Sequence, residues 1–341
     1  MSAMHAGADP GPLRDRVPAN PDGPDPFARR IAALLGVAAA VGTGVPLGEL
    51  VVLLPLGRFP TADALRDWLA DRPGLARIRD DWAYAPGAGP NGPDPGRLAR
   101  GERYWTIARS IRDTTLRPIL PLVLALGVTG SSAYGEPEEG DDLDLLAITR
   151  PGALWVFLAY AFVALRVGRS VSPEPGPRLV CLNFVRDATA IEREFATPHD
   201  FVYAREALSV RLLHGEAFYA GLLAEAGWMG EAIPRKYATR CRPSLRERVA
   251  PAPWAVRLLN LLIFPALAAY LQAQGLRRNA GYRREGRAGE SFESITRLDR
   301  LSFRSDRFER QRAAFRALAR AGAIERPEEG SGSRVPPIPE G

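Results

Sequence analysis

Asp142 and Asp144 stand one residue apart in the run Asp-Asp-Leu-Asp-Leu-Leu-Ala-Ile, residues 141–148. On a strand, positions i and i+2 face the same side. Both carboxylates therefore project together, with Leu143, Leu145, Leu146 and Ile148 filling the sheet around them. Two carboxylates so spaced repel each other unless a cation sits between them. Mg²⁺ suits the position, because it takes hard oxygen ligands and is commonly held through one or two carboxylates plus substrate phosphates. Upstream, Gly130-Ser131-Ser132 closes the apolar run Leu-Pro-Leu-Val-Leu-Ala-Leu-Gly-Val-Thr-Gly. Glycine lets a ligand approach the backbone, and exposed N–H groups with serine hydroxyls can cradle a phosphate. A phosphate cradle beside a two-carboxylate metal site is minimal equipment for phosphoryl or nucleotidyl transfer. The bland alternative is a solvated acidic loop next to a sheet edge.

Gly-Ser, ten residues from Ser132 to Asp141, then Asp-Leu-Asp, resembles the signature of the DNA polymerase β-like nucleotidyltransferase superfamily. The resemblance spans roughly residues 102–195. It implies an α+β fold, with a nucleotidyltransferase-type mixed sheet and packed helices. It assigns Gly130, Ser131 and Ser132 to the triphosphate of an NTP substrate, and Asp142 and Asp144 to a two-ion Mg²⁺ site. Gly135 also matches the minimal nucleotidyltransferases, where Ala-Arg-Gly often follows Gly-Ser; Tyr134 replaces that arginine. Reacting members carry a third acid on a following strand. Here an apolar helix is expected over 153–167, and the next strand, 178–187, sets Leu179, Cys181, Asn183 and Val185 on one face. Asn183 stands where the resemblance expects the acid. Its carbonyl oxygen can ligate Mg²⁺, but it carries no charge and cannot act as a base. Two functions follow: transfer of an NMP to an unidentified acceptor hydroxyl, or nucleotide binding in a weakly catalytic regulatory or scaffold protein. A nearby acid, Asp187 or Glu174, favours the enzyme.

Other elements must position these groups. Residues 1–26 and 325–341 are rich in Pro, Gly and small or charged residues and predict disordered tails. Asp25-Pro26 starts a helix to about Ala40, Pro46 opens another to about Leu54, and Thr61 caps a third carrying Leu65, Trp68 and Leu69. Residues 75–84 fit a short strand pair. The 27–86 segment thus looks like a winged helix, a module that usually sets its third helix in a DNA groove. Here that helix carries Asp63, Asp67 and Asp71 against Arg66 and would repel phosphates. A protein contact or docking within the chain is expected instead. A Pro/Gly linker occupies 87–101, and a polar-faced helix runs from Glu102 to Arg117. Residues 102–198 form the transferase-like domain, and 199–324 a helical region whose last helix covers about 305–322.

Residues 233–242 form a basic stretch, expected to be a solvated face, with phosphate contact as the alternative. The segment 254–272 is the most apolar, interrupted by Arg257, Asn260 and Pro265. A buried, kinked core helix is expected, with peripheral membrane contact through 254–287 as the alternative.

The 341 residues carry a net charge of +6, too small to mark a nucleic-acid binder. Lys236 is the only lysine. Two cysteines and three scattered histidines make a disulfide framework or a Cys/His zinc site unexpected. No apolar run follows a basic start, which points to a cytoplasmic protein.

Overall fold

In the computed structural model, the described residues are 25–39, 44–55, 57–87, 96–134, 137, 141–169, 180–241, 249–286, 291–305, 309 and 312–313. Gly135, Glu174, Leu179 and almost all of the tails and of the helix expected over 305–322 lie outside them.

The chain begins with helix α1 (Pro26–Ala39), strand β1 (Val45–Pro46), α2 (Leu47–Leu53), α3 (Ala62–Ala70) and strands β2 (Arg77–Arg79) and β3 (Trp82–Tyr84). Thr61 caps α3, its side chain accepting from the Ala64 N–H at 3.2 Å. The strands form a small antiparallel sheet in the order β1-β3-β2. Val45–Pro46 was not expected as a strand; two residues give no alternation to read.

Next come α4 (Gly96–Ser110), a π turn (Ile111–Thr115), a 3₁₀ segment (Arg117–Leu122), β4 (Val123–Val128), the one-turn α5 (Gly130–Ala133) and β5 (Leu143–Thr149). The helix expected from Glu102 starts at Gly96, because the run of linker prolines ends at Pro95. Then follow α6 (Leu154–Arg169), β6 (Val180–Asp187), α7 (Ala188–Ala196), α8 (Phe201–Ser209), β7 (Arg211–His214), α9 (Glu216–Glu225), α10 (Trp228–Ala232), α11 (Pro234–Arg240), α12 (Trp254–Arg284), β8 (Phe292–Arg297) and β9 (Arg300–Ser305).

The fold is α+β, with a six-stranded mixed sheet in the order β7-β4-β5-β6-β9-β8. Only β5 and β6 pair in parallel; the others are antiparallel. The expectation that 199–324 is helical is therefore corrected: three of its segments complete the main sheet. Gly215 ends β7 with φ 76°, and a Cβ there would meet the Leu124 carbonyl. The β8–β9 hairpin turns at Leu298-Asp299, between two strands with few large apolar residues to mark their period.

Alternation in β5 sends Leu143, Leu145 and Ala147 into one core and Leu146 and Ile148 into another. The first core holds α4, α6 and part of α12. Trp155 of α6 is fully buried there, its ring 4.9 Å from Phe264 and its indole N–H donating to the Arg297 carbonyl at 3.1 Å. The second core is continuous from α1–α3 through the sheet to α7–α10. The N-terminal unit thus shares its core with the rest of the chain.

Residues 233–241 fasten that unit. Lys236, 8% exposed, donates to Glu49 of α2 at 2.7 Å; Arg235 bonds the Phe59 carbonyl, and Arg240 the Val210 carbonyl. This corrects the expected solvated face: these cations are structural pins. Arg242 lies outside the described residues. Burial lowers the Lys236 pKa, and the Glu49 charge offsets it. Lys236→Ala would leave Glu49 with only Arg205 at 3.7 Å. The variant is expected to lose about 3 kcal/mol in urea unfolding; an unchanged midpoint would mean that the pair does not hold the unit.

The apolar segment at 254–272 is part of a 31-residue helix that continues past Pro265. Only 17% of its most apolar stretch is buried. The expected core helix is corrected: α12 lies along α6 and β8 and buries one face, through Asn260, Ala268, Leu271 and Gly275.

Candidate active site

Asp144 lies on the same face of β5 as Leu146 and Ile148. The β4–β5 pairing brings the Gly130 turn against it: the Thr129 N–H donates to the Asp144 carbonyl at 2.9 Å. Gly130 has φ +64°, and a Cβ on it would stand 3.0 Å from Asp144 Oδ2. Glycine is therefore demanded twice, by conformation and by space. Gly130→Ala is expected to cost about 1–2 kcal/mol by crowding Asp144. Thermal melting checks this; an alanine variant as stable as the parent would refute the crowding.

On the other side, β6 runs parallel to β5 with Asp144 opposite Cys181. The Asn183 amide N–H donates to Asp144 Oδ1, and the Cys181 thiol donates to Asp142 Oδ2 at 3.6 Å. Asp142, Asp144 and Asn183 are thus brought together as the sequence predicts. One detail is corrected. The register shifts between Leu145 and Leu146, so Asn183 bulges out of the ladder. Beyond the bulge Val185 packs with Leu182 in the opposite core, not on the face of Cys181 and Asn183.

Burial, then the charges of Asp142, Asp141 and Glu206, push the Asp144 carboxyl up to about 7. Burial, then the charges of Asp142 and Asp144, push the Cys181 thiol up to about 12, so it stays a neutral donor. Asp142 Oδ1 is buried with no hydrogen-bond partner. An orphaned carboxylate oxygen beside a carboxyl that resists ionisation is a donor set that fits a divalent cation. Among the described residues, no three His, Cys, Asp or Glu side chains form a metal cage of their own. The set is two carboxylates with Asn183 beside them, and Mg²⁺ commonly fills its remaining positions with water and phosphate oxygens.

The serines separate. Ser131 donates to Asp141 Oδ2 at 2.9 Å and lines the cavity. Ser132 is 3% exposed, its hydroxyl is buried without a partner, and it does not line the cavity. The Ser132 hydroxyl, one residue further along the single turn of α5, is thus turned away from the cavity that Gly130 and Ser131 line. Asp187 is far from the pair, since it opposes Thr149 at the other end of β5 and caps α7, accepting from the Ala190 N–H at 2.9 Å.

Sequence reasoning missed Asp141. As the last loop residue it has no strand period to fix its direction, yet it bonds Ser131, and Tyr104 donates to its carbonyl at 3.2 Å. Tyr134, in place of the expected arginine, donates to Glu206 at 2.7 Å, with the Arg205 guanidinium 4.5 Å from its ring centre. Burial first, then the Glu206 charge, holds the Tyr134 phenol far above its ordinary value.

Gly130, Ser131, Asp141, Asp142, Asp144 and Asn183 open on one cavity of about 1640 Å³, which Tyr270, Gln274, Arg277 and Arg278 of α12 also line. Small-molecule pockets usually enclose roughly 300–1,000 Å³. There is room for two small molecules together. No protein-family model, curated protein or solved structure matches the chain.

Proposed function

We propose that this protein binds an NTP with Mg²⁺ and transfers its NMP to an acceptor hydroxyl. The observation that carries the reading is the pair Asp142 and Asp144 at the mouth of β5, one with an orphaned buried oxygen, packed against the Gly130 turn in a roomy cavity. Asp142 and Asp144 would hold the cation, which when bound neutralises the developing negative charge. Gly130 and Ser131 would face the triphosphate. The acceptor oxygen bonds to the α-phosphorus, the bond from that phosphorus to the bridging oxygen breaks, and pyrophosphate leaves with the electron pair. Asp141, the carboxylate next to the pair, would take the acceptor proton, since Asn183 cannot.

The same reading takes β4–α5–β5–α6–β6 as a nucleotidyltransferase core, supported by its antiparallel then parallel strand pairs. It takes residues 27–86 as a winged helix, supported by the element order and the β1-β3-β2 sheet. Arg66 of α3 is paired with both Asp63 and Asp81, which disfavours a phosphate-binding role for that helix. Fastening to α11 supports docking within the chain.

A second reading, nucleotide binding without turnover, is favoured by Asn183 and by the distant place of Asp187. Incubation with each of the four α-labelled NTPs, with pyrophosphate release followed, separates the two. Release favours the enzyme. Binding without release, in the parent and in Asn183→Asp alike, favours the sensor.

A further inference from the structure

Helix α12 carries an apolar stripe that none of the described residues covers. Trp254, Leu258, Leu261 and Leu262 are 77%, 50%, 52% and 68% exposed. They recur at i, i+4, i+7 and i+8, which is one side of a helix. Pro265, Ala266 and Ala269 extend the stripe. Val163 and Val167 of the neighbouring α6 are also exposed beside it. A patch of this kind on a folded protein marks a contact surface.

Charge decides what covers it. Of its arginines, Arg257 packs against Gly152 and Arg277 and Arg278 line the cavity, while Arg283 and Arg284 stand exposed beyond the stripe; the 31 residues of α12 hold no Asp or Glu. A second copy docked in parallel through the same stripe would bring Arg283 and Arg284 against the same pair, with no acid within either helix to offset them. A neutral protein groove would leave them without a purpose. An anionic lipid surface satisfies both halves, taking the leucines among its acyl chains and the guanidinium groups among its head groups.

The helix cannot cross the bilayer while the domain is folded. Its opposite face is pinned along its length, by Asn260 accepting from the Trp155 N–H at 2.6 Å and by Asn279 exchanging two hydrogen bonds with the Phe292 backbone, at 2.8 and 2.9 Å. We infer that α12 is an in-plane anchor that seats the protein on an anionic membrane surface.

Flotation of the full-length protein with vesicles tests this, comparing phosphatidylcholine alone with vesicles containing about 30% phosphatidylglycerol. The parent is expected to float with the anionic vesicles and to be released by high salt. Leu261→Glu/Leu262→Glu, at two exposed positions, is expected to cut the partition coefficient at least tenfold while leaving the melting temperature unchanged. Arg283→Gln/Arg284→Gln is expected to weaken binding about 30-fold and flatten its salt dependence. The inference is overturned if the parent fails to bind anionic vesicles, or if the double glutamate variant binds as the parent does. It is also overturned if the stripe instead mediates a dimer that the glutamates dissolve, without any vesicle binding.

Discussion

Asp142→Ala is expected to weaken Mg²⁺-dependent NTP binding at least 100-fold, about 2.7 kcal/mol, and to leave the fold intact. The two effects part because of what Asp142 touches. Its Oδ1 has no partner, and its Oδ2 accepts only a weak thiol donor at 3.6 Å. Removing it therefore breaks nothing of structural weight. Its charge is also the largest charge acting on Asp144, after burial itself. Without it Asp144 ionises more easily, so the metal-free variant should melt at or above the temperature of the parent. What is lost is one of two carboxylates on which a divalent ion depends. Calorimetric titration with Mg-NTP and a thermal melt of the same sample measure both; parent-like affinity would remove Asp142 from the site.

Asp144→Asn is expected to stabilise the metal-free protein above neutral pH and to abolish its metal response. The Asp144 carboxyl sits at about 7 in the folded chain against an ordinary value of 3.8. Between about pH 4 and 7 the native state keeps a proton that the unfolded state has released. Stability from this group is thus fully present below pH 4 and is lost as pH rises to 7. The amide has no proton to lose and keeps an oxygen to accept from Asn183. At pH 8 without divalent ions the variant should gain at least about 1 kcal/mol, a rise of roughly 2–4 °C in Tm, and at pH 4 the two should coincide. Added Mg²⁺ should raise the Tm of the parent at pH 8 but not that of the variant. A difference that is the same at pH 4 and pH 8 would show that burial and neighbouring charge do not set the protonation of Asp144.

The legible parts of the molecule were those in which local pattern and tertiary demand agree. Thr61 caps where its type predicts, and Asp142 and Asp144 sit as a period-two pair. Helix α6 reads as packed on the sheet, and its first half is buried there through Leu154, Trp155, Phe157 and Leu158. The bulge at Asn183 was invisible, because an extra residue in one strand leaves the alternation of the other unchanged. The direction of Asp141 was invisible for a related reason, since it precedes the first residue that the ladder fixes. Lys236 read as a surface cation because its partner, Glu49, lies 187 residues away in sequence. The β8–β9 hairpin escaped notice because it lies at the sheet edge with mostly half-buried residues, whose composition is more polar than that of β5. Helix α12 misled in the opposite sense. Apolar composition implied a core, but a helix can be apolar all round while only one face finds a neighbour.

The most direct test of the site is calorimetric titration of the parent with ATP, GTP, CTP and UTP, each with Mg²⁺ and again with EDTA. The predicted result is saturable binding of at least one nucleotide that disappears with EDTA. Binding of none of the four, or binding that EDTA leaves unchanged, would contradict a nucleotide and metal site built on Asp142 and Asp144.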